Sequence, residues 1–158
     1  MNYYTNQDFS YKVKKSIREY LNQSEFLEPY SVTLTMKQFL QNEKLDEIKS
    51  SENLKYFLNR LNYKIFKNRF RRFNKKLRVI PILENSLQER LHYHLLIDKP
   101  KNLSDIYFRL VIDETFKKTR FSYDDIEIKK QIEPIFYFSS YVTKMKNKNI
   151  VDYLNMNI

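Results

Sequence analysis

Apolar and polar residues alternate in four separate stretches of the chain, and this alternation predicts four β-strands. The stretches cover residues 30–36, 77–84, 90–98 and 123–132. Side chains two positions apart in a strand share one face of the sheet, so each stretch is expected to bury one face. Only the polar residues 85–89 separate the second stretch from the third, which predicts that these two strands form a hairpin.

Apolar residues recur every three or four positions elsewhere, and this spacing predicts helices. One helix is expected over residues 54–73, after a polar break at residues 41–53. Another follows Ser104, because serine commonly caps a helix N-terminus, and a final helix is expected to begin at Pro134. Val13 and Ile17 lie at helical spacing near the start of the chain, where we expect an N-terminal helical extension.

The predicted elements follow one another as strand, helix, strand, strand, helix and strand. This order is typical of an α+β, ferredoxin-like (RRM-like) antiparallel sheet with helices on one face. With 158 residues, of which 42% are hydrophobic, the chain can bury one core but not two. We therefore expect a single domain over residues 1–158, with the helical extension at 1–29 and a C-terminal tail at 149–158.

The composition restricts the chemistry available to this chain. There is no cysteine, which excludes disulfides, thiolate nucleophiles and zinc-thiolate sites. There is no glycine either, so the usual phosphate-binding loops, and with them ATP-driven helicase activity, are not expected. No apolar run approaches the roughly 20 residues of a membrane span. We expect a cytoplasmic protein, in the host cell if it is viral, with no membrane partner.

Positive charge predominates and is concentrated in one segment. The chain has 29 Lys and Arg against 19 Asp and Glu, a net charge of +10 that favours a polyanionic partner such as nucleic acid. Residues 64–78 hold basic residues and no acid, with phenylalanines between them that we expect to be buried. We predict phosphate contacts from Lys64, Lys67, Arg69, Arg71, Arg72, Lys75, Lys76 and Arg78.

Both histidines of the chain lie in the third predicted strand, separated by Tyr93. Because side chains alternate across a sheet, the imidazoles of His92 and His94 are expected to share a face and to bind a metal; otherwise they are ordinary half-buried residues. Mg²⁺ or Mn²⁺ also needs oxygen ligands, and Glu84 at the end of the neighbouring strand can supply one. Glu89 is nearer in sequence but would point to the opposite face.

The final predicted helix carries tyrosines and a lysine on one side. Tyr137, Tyr141 and Lys144 form a narrow stripe at helical spacing, well separated from the apolar stripe of the same helix. A nearby ammonium favours attack by a phenolate on phosphorus, which makes Tyr141 with Lys144 a candidate nucleophile pair. The alternative is a tyrosine on an amphipathic helix beside a solvated lysine.

Three motifs in fixed order, VTLT from Val32, HYH from His92 and YVTK from Tyr141, resemble those of the rolling-circle replication initiators (Rep) of the HUH endonuclease superfamily. The resemblance covers residues 30–148 and is to initiators of the phage and plasmid type. It implies that Glu84 and both histidines bind a divalent metal, that Tyr141 is the nucleophile on a helix near this site, and that Lys144 assists it. Tyr93 departs from the aliphatic residue usual between the histidines.

The resemblance implies an enzyme that nicks and joins single-stranded DNA through a 5′-phosphotyrosyl intermediate and initiates rolling-circle replication. Single-stranded or hairpin origin DNA and a host helicase with its replication machinery are the implied partners. Tyr137 is a candidate second nucleophile, although Ser140 replaces the lysine expected beside it. Two alternatives stay open: a small dimeric HUH transposase of the insertion-sequence type, and a non-catalytic nucleic-acid-binding module. The oligomeric state is open as well.

Overall fold

A computed structural model of the protein describes residues 26–85, 90–132 and 148–157, and for residues 148–150 it describes the backbone alone. It also describes Lys15, Ser16, Glu19 and Gln23, which all have helical backbone and lie in the predicted extension. The described elements are β1 (Pro29–Met36), β2 (Phe39–Leu40), β3 (Glu43–Lys44), α1 (Glu47–Phe66), α2 (Asn68–Phe73), β4 (Val79–Asn85), β5 (His92–Asp98), α3 (Asp105–Phe116), β6 (Ser122–Lys130) and β7 (Lys148–Val151).

Five of the strands form one antiparallel sheet in the order β6-β1-β5-β4-β7. The first four strands in this order, with α1 before β4 and α3 before β6, have the connections of a ferredoxin-like fold. The predicted α+β, ferredoxin-like sheet is therefore confirmed. β7 is an additional strand outside β4, formed by residues that the sequence pattern assigned to the C-terminal tail.

The core lies between the sheet and the two long helices. Every second side chain of β1 and β5 is buried on this face, and α1 and α3 cover it. Aromatic rings meet edge to face across the layers, with centroids 5.3 Å apart for Tyr30 and Phe108 and 5.7 Å apart for Phe57 and Phe116. The helices occupy one face as predicted, which leaves the opposite face of the sheet for other contacts.

The first long helix begins earlier and ends earlier than its apolar spacing predicts. It begins at Glu47, inside the expected polar break, because the Asp46 carboxylate caps it by accepting from the backbone N–H of Lys49. Its first turns bury the polar residues Ser50 and Asn53, which hide the helical pattern. It ends at Lys67, whose φ of 51° interrupts the predicted single helix and starts the short helix α2.

Within the described part of the chain, no helix is both long and apolar enough to cross a membrane.

A buried polar network joins the C-terminal segment to the back of β5. The Tyr93 hydroxyl, on the helix-covered face, donates to the Asp152 carboxylate at 2.8 Å, and the Ser51 hydroxyl and the Asn155 amide donate to the same oxygen. Burial, together with the neighbouring carboxylate, raises the pKa of Tyr93 far above its ordinary value, so the phenol remains a donor. The network holds β5, α1 and residues 152–155 together.

Tyr93→Phe is expected to lower the free energy of unfolding by about 1–2 kcal/mol, because the buried Asp152 carboxylate loses one of its donors. Urea denaturation followed by far-ultraviolet circular dichroism measures this change. Tyr153→Phe is the matched control, since Tyr153 follows Asp152 directly but is 59% exposed, and a change within about 0.5 kcal/mol is expected. Equal losses in both variants would contradict the role assigned to the network.

Candidate metal centre

The uncovered face of the sheet brings three predicted metal ligands together. In β5, Tyr93 and Leu95 point into the core, so His92 and His94 project from the other face. The β4–β5 register pairs Glu84 directly with His92, which places the carboxylate on the same face. Simple alternation and one hairpin therefore assemble the cluster.

The ligand atoms of these three residues converge. The Glu84 Oε2 atom lies 2.7 Å from His94 Nε2 and 3.1 Å from His92 Nε2, and the two Nε2 atoms are 3.1 Å apart. All three side chains are largely shielded from solvent, with exposed fractions between 8% and 14%. Two imidazole nitrogens and one carboxylate oxygen thus face a common point that solvent can still reach.

The other ring nitrogen of each histidine contacts a group that can orient it. His92 Nδ1 lies 2.6 Å from the backbone carbonyl of Arg90, which can only accept, so Nδ1 donates and Nε2 keeps its lone pair. His94 Nδ1 lies 3.3 Å from the Thr33 hydroxyl, which can accept in the same way. Such contacts orient metal-binding imidazoles in proteins.

The electrostatic environment favours neutral imidazole at His94. Burial lowers the pKa of His94, the neighbouring His92 lowers it further, and the Glu84 carboxylate only partly opposes these effects. A neutral ring is the form that donates a lone pair to a metal. The predicted ligand therefore has the protonation state that coordination needs at neutral pH.

The spacing of the ligand atoms fits a divalent ion. Neighbouring ligands around an octahedral ion with bonds of about 2.1 Å are about 3.0 Å apart. The three observed separations of 2.7, 3.1 and 3.1 Å match one face of such an octahedron. The corresponding separation for a tetrahedral zinc ion is longer, about 3.4 Å. Glu84, His92 and His94 can therefore hold a metal ion, with the solvent side available to further ligands.

The predicted basic segment lies at the other end of the sheet. Arg78 immediately precedes the first residue of β4, and Glu84 is near its end, so the two positions are separated by roughly 20 Å of strand. All of the predicted basic residues are exposed except Lys64, which is half-buried and pairs with Glu114 at 3.7 Å. A surface cavity of about 380 Å³ includes Arg69, Lys75, Lys76 and Arg78 in its wall.

The phenylalanines of this segment are less buried than expected. Phe66 and Phe70 are half-buried, whereas 76% of the Phe73 side chain is exposed at the end of α2. The prediction of burial is wrong for Phe73, because the turn at Asn74, with φ of 50°, ends the short helix and leaves this ring outside the core.

Some site residues could not be identified from the sequence alone, and others lie outside the described structure. Thr33 and the carbonyl of Arg90 orient the imidazoles; for Thr33 the signal was its place in β1 opposite His94. The predicted nucleophile helix, with Tyr137, Tyr141 and Lys144, lies outside the described residues.

Comparisons with known proteins bear on the identity of the chain. No curated protein and no solved structure matches it. A family model for the replication-associated protein ORF2 matches residues 29–146, which include every described strand from β1 to β6 and the metal-ligand cluster. Since this match covers well over half of the chain, and agrees with the order of the three motifs, the protein belongs to this replication-associated protein family, a family of rolling-circle replication initiators.

Proposed function

We propose that this protein nicks and rejoins single-stranded DNA at a replication origin and thereby initiates rolling-circle replication. The observation that carries the proposal is the convergence of Glu84 Oε2 with the Nε2 atoms of His92 and His94 on the uncovered face of the sheet. Membership of a replication-associated family supports a DNA substrate. An open metal centre beside a sheet face suits a flexible single strand better than a base-paired duplex.

The proposed reaction is a transesterification by Tyr141. A Mg²⁺ or Mn²⁺ ion held by Glu84, His92 and His94 would supply positive charge that polarises the scissile phosphate. The Tyr141 phenol oxygen forms a bond to phosphorus, and the bond from phosphorus to the 3′ oxygen breaks. The phenol loses one proton and the leaving 3′ oxygen gains one, so a 5′-phosphotyrosyl link and a free 3′-hydroxyl result. Lys144 favours the phenolate, and reversal of the step rejoins the strand.

Chain connectivity supports a role for Tyr141 at this site. In the β4–β7 pairing, Lys148 is opposite Asn85 and Asn149 is opposite Glu84. Tyr141 is seven residues before Lys148, a separation that spans about 10 Å in a helix and up to about 24 Å in an extended chain. The tyrosine is thus tied to a point close to the ligand cluster.

The deciding experiment mixes wild-type protein and Mn²⁺ with labelled single-stranded oligonucleotides that tile both strands of its own replicon. A DNA-bearing protein band that survives a denaturing gel is expected with a limited set of oligonucleotides. If no oligonucleotide gives this band while the protein still binds DNA, the nicking function fails and a non-catalytic binding module takes its place. A covalent band formed by an obligate dimer would instead favour the transposase.

We also propose that the exposed basic residues of the segment 64–78 contact DNA phosphates away from the metal centre. The charges are not neutralised by neighbouring acids in the sequence, and two of them stack on rings: Arg71 lies 4.4 Å from the Tyr63 ring centroid and Lys75 lies 5.5 Å from that of Phe66. Replacing one phosphate contact lowers the salt dependence of single-strand binding in a predictable way.

Replacing Arg72 and Lys76 with alanine is expected to lower the slope of log binding constant against log salt by about 0.7 for each lost phosphate contact. Fluorescence anisotropy with labelled single-stranded DNA at several salt concentrations measures the slope. Lys55 and Lys118 provide a control pair with the same loss of charge on the surface of α1 and after α3. A slope that changes equally for both pairs would show that only net charge matters.

A further inference from the structure

Arg90 stands next to the metal centre and takes no part in the reaction proposed above. Its backbone carbonyl accepts from His92 Nδ1 at 2.6 Å, so the start of its side chain is fixed relative to a metal ligand. The residue is exposed. Its guanidinium carbon lies 4.3 Å from the centre of the Tyr123 ring, which is close stacking for a cation and an aromatic ring.

The contact between Arg90 and Tyr123 spans three strands. His92 pairs with Thr35 of β1, and Ser122 of β6 pairs with the next residue of β1, Met36. Arg90 therefore reaches from the start of β5 across the end of β1 to β6, a distance of about 10 Å between the outer strands. The guanidinium lies at the same end of the sheet as His92 and Glu84, to one side of the cluster.

The stacked arrangement leaves the hydrogen-bonding edge of the guanidinium available. A planar guanidinium that lies on a ring uses its face, whereas its N–H donors point outward from its edge. Within the part of the chain that the structure describes, no carboxylate forms an ion pair with Arg90. The side chain is thus held in place by an aromatic ring while its donors face solvent beside the metal ligands.

We propose that Arg90 binds the DNA phosphate adjacent to the scissile one, with Tyr123 holding the guanidinium in position. The site of the neighbouring phosphate follows from the proposed function, but binding of a single-stranded phosphate backbone by Arg90 does not depend on catalysis. Arginine suits this task because its planar fork donates two parallel hydrogen bonds to phosphate oxygens. The contact fixes the register of the strand, so that one phosphate meets the ligand cluster.

The first test measures binding without metal, to keep it independent of nicking. Arg90→Ala is compared with wild type by anisotropy of a short fluorescein-labelled oligothymidylate in EDTA. Affinity is expected to fall about ten-fold at low salt, and the salt slope to fall by about 0.7, the value for one lost phosphate contact. Arg60→Ala is the matched control, because Arg60 is also exposed and lies 5.3 Å from a tyrosine ring, on α1 behind the sheet. It is expected to bind as wild type does.

Variants of the stacking pair separate position from charge. Tyr123→Phe keeps the ring and is expected to bind like wild type, whereas Tyr123→Ala removes the support and is expected to weaken binding about three-fold. Arg90→Lys keeps the charge without the planar fork and is expected to fall between wild type and Arg90→Ala. The inference is overturned if Arg90→Ala and Arg60→Ala bind alike, or if Arg90→Lys restores full affinity.

Steady-state nicking then tests which phosphate Arg90 contacts. A contact to a neighbouring phosphate persists from ground state to transition state, so Arg90→Ala should raise KM about ten-fold with kcat changed less than two-fold. A fall in kcat at unchanged KM would overturn the assignment, because it would place Arg90 on the reacting phosphate. If wild type forms no adduct, the proposed function fails, while the metal-free binding comparison still decides whether Arg90 binds DNA.

Discussion

Replacing Tyr141 with phenylalanine is expected to abolish the covalent protein–DNA adduct, with a loss of at least about a thousand-fold in its rate of formation. The phenol oxygen is the atom that bonds to phosphorus in the proposed reaction, and phenylalanine has no substitute for it. The measurement is a denaturing gel of protein, Mn²⁺ and labelled origin-strand DNA, quantified over time. Binding of Mn²⁺ and of DNA by this variant is expected to match wild type.

Tyr137→Phe is the matched control for this result, since Tyr137 lies four residues earlier and shares the predicted helix stripe. Ser140 stands where a lysine would assist Tyr137, so the rate with this variant is expected to stay within about two-fold of wild type. If Tyr141→Phe still forms the adduct and Tyr137→Phe does not, the assignment of the nucleophile is reversed. If both single variants form it and only the double variant does not, the enzyme uses two tyrosines.

Glu84→Ala and His94→Ala are each expected to weaken Mn²⁺ binding by at least about a hundred-fold and to abolish the adduct. Each variant removes one corner of a triangle of ligand atoms only about 3 Å on a side, and the two ligands that remain cannot hold the ion as tightly. Isothermal titration with Mn²⁺ measures the affinity directly. Excess EDTA should stop adduct formation by wild type, and added Mn²⁺ or Mg²⁺ should restore it.

Glu127→Ala is the control for this pair. Glu127 lies on the neighbouring strand beyond Thr33, which is itself opposite His94, and it pairs with Lys129 at 2.5 Å. Its removal costs the same charge as Glu84→Ala, at a position outside the ligand triangle, so Mn²⁺ affinity is expected to change by less than about three-fold. A large loss with Glu127→Ala would mean that the negative charge of this region, rather than the ligand geometry, determines metal binding.

The ligand cluster could be predicted from the sequence because two local rules determine it. Alternation along β5 puts both imidazoles on one face, and the short connection from β4 fixes which carboxylate lies beside them. Neither rule depends on contacts that are distant in the chain. For the same reason the four strands and the helix cap at Ser104, which accepts from the N–H of Tyr107, agree with the sequence pattern.

The features that could not be predicted depend on distant partners or on single backbone angles. The pairing of β7 with β4 and the hydrogen bond from Tyr93 to Asp152, 59 residues away, leave no periodic pattern in the sequence. Ser50 and Asn53 look like loop residues until their buried partners are known, such as Thr119 for Asn53. The positive φ at Lys67 divides a helix whose apolar spacing continues without interruption.

The position of β7 also affects how the chain reaches its folded state during synthesis. β4 is buried along its first five residues, Val79 to Leu83, and its outer edge is covered only by residues close to the C-terminal end of the sequence. Until those residues leave the ribosome, β4 is an apolar strand with an unpaired edge, the kind of segment that drives aggregation. Pro81 limits this hazard, because its carbonyl accepts from Asp152 on that side but its nitrogen offers no donor to a foreign strand.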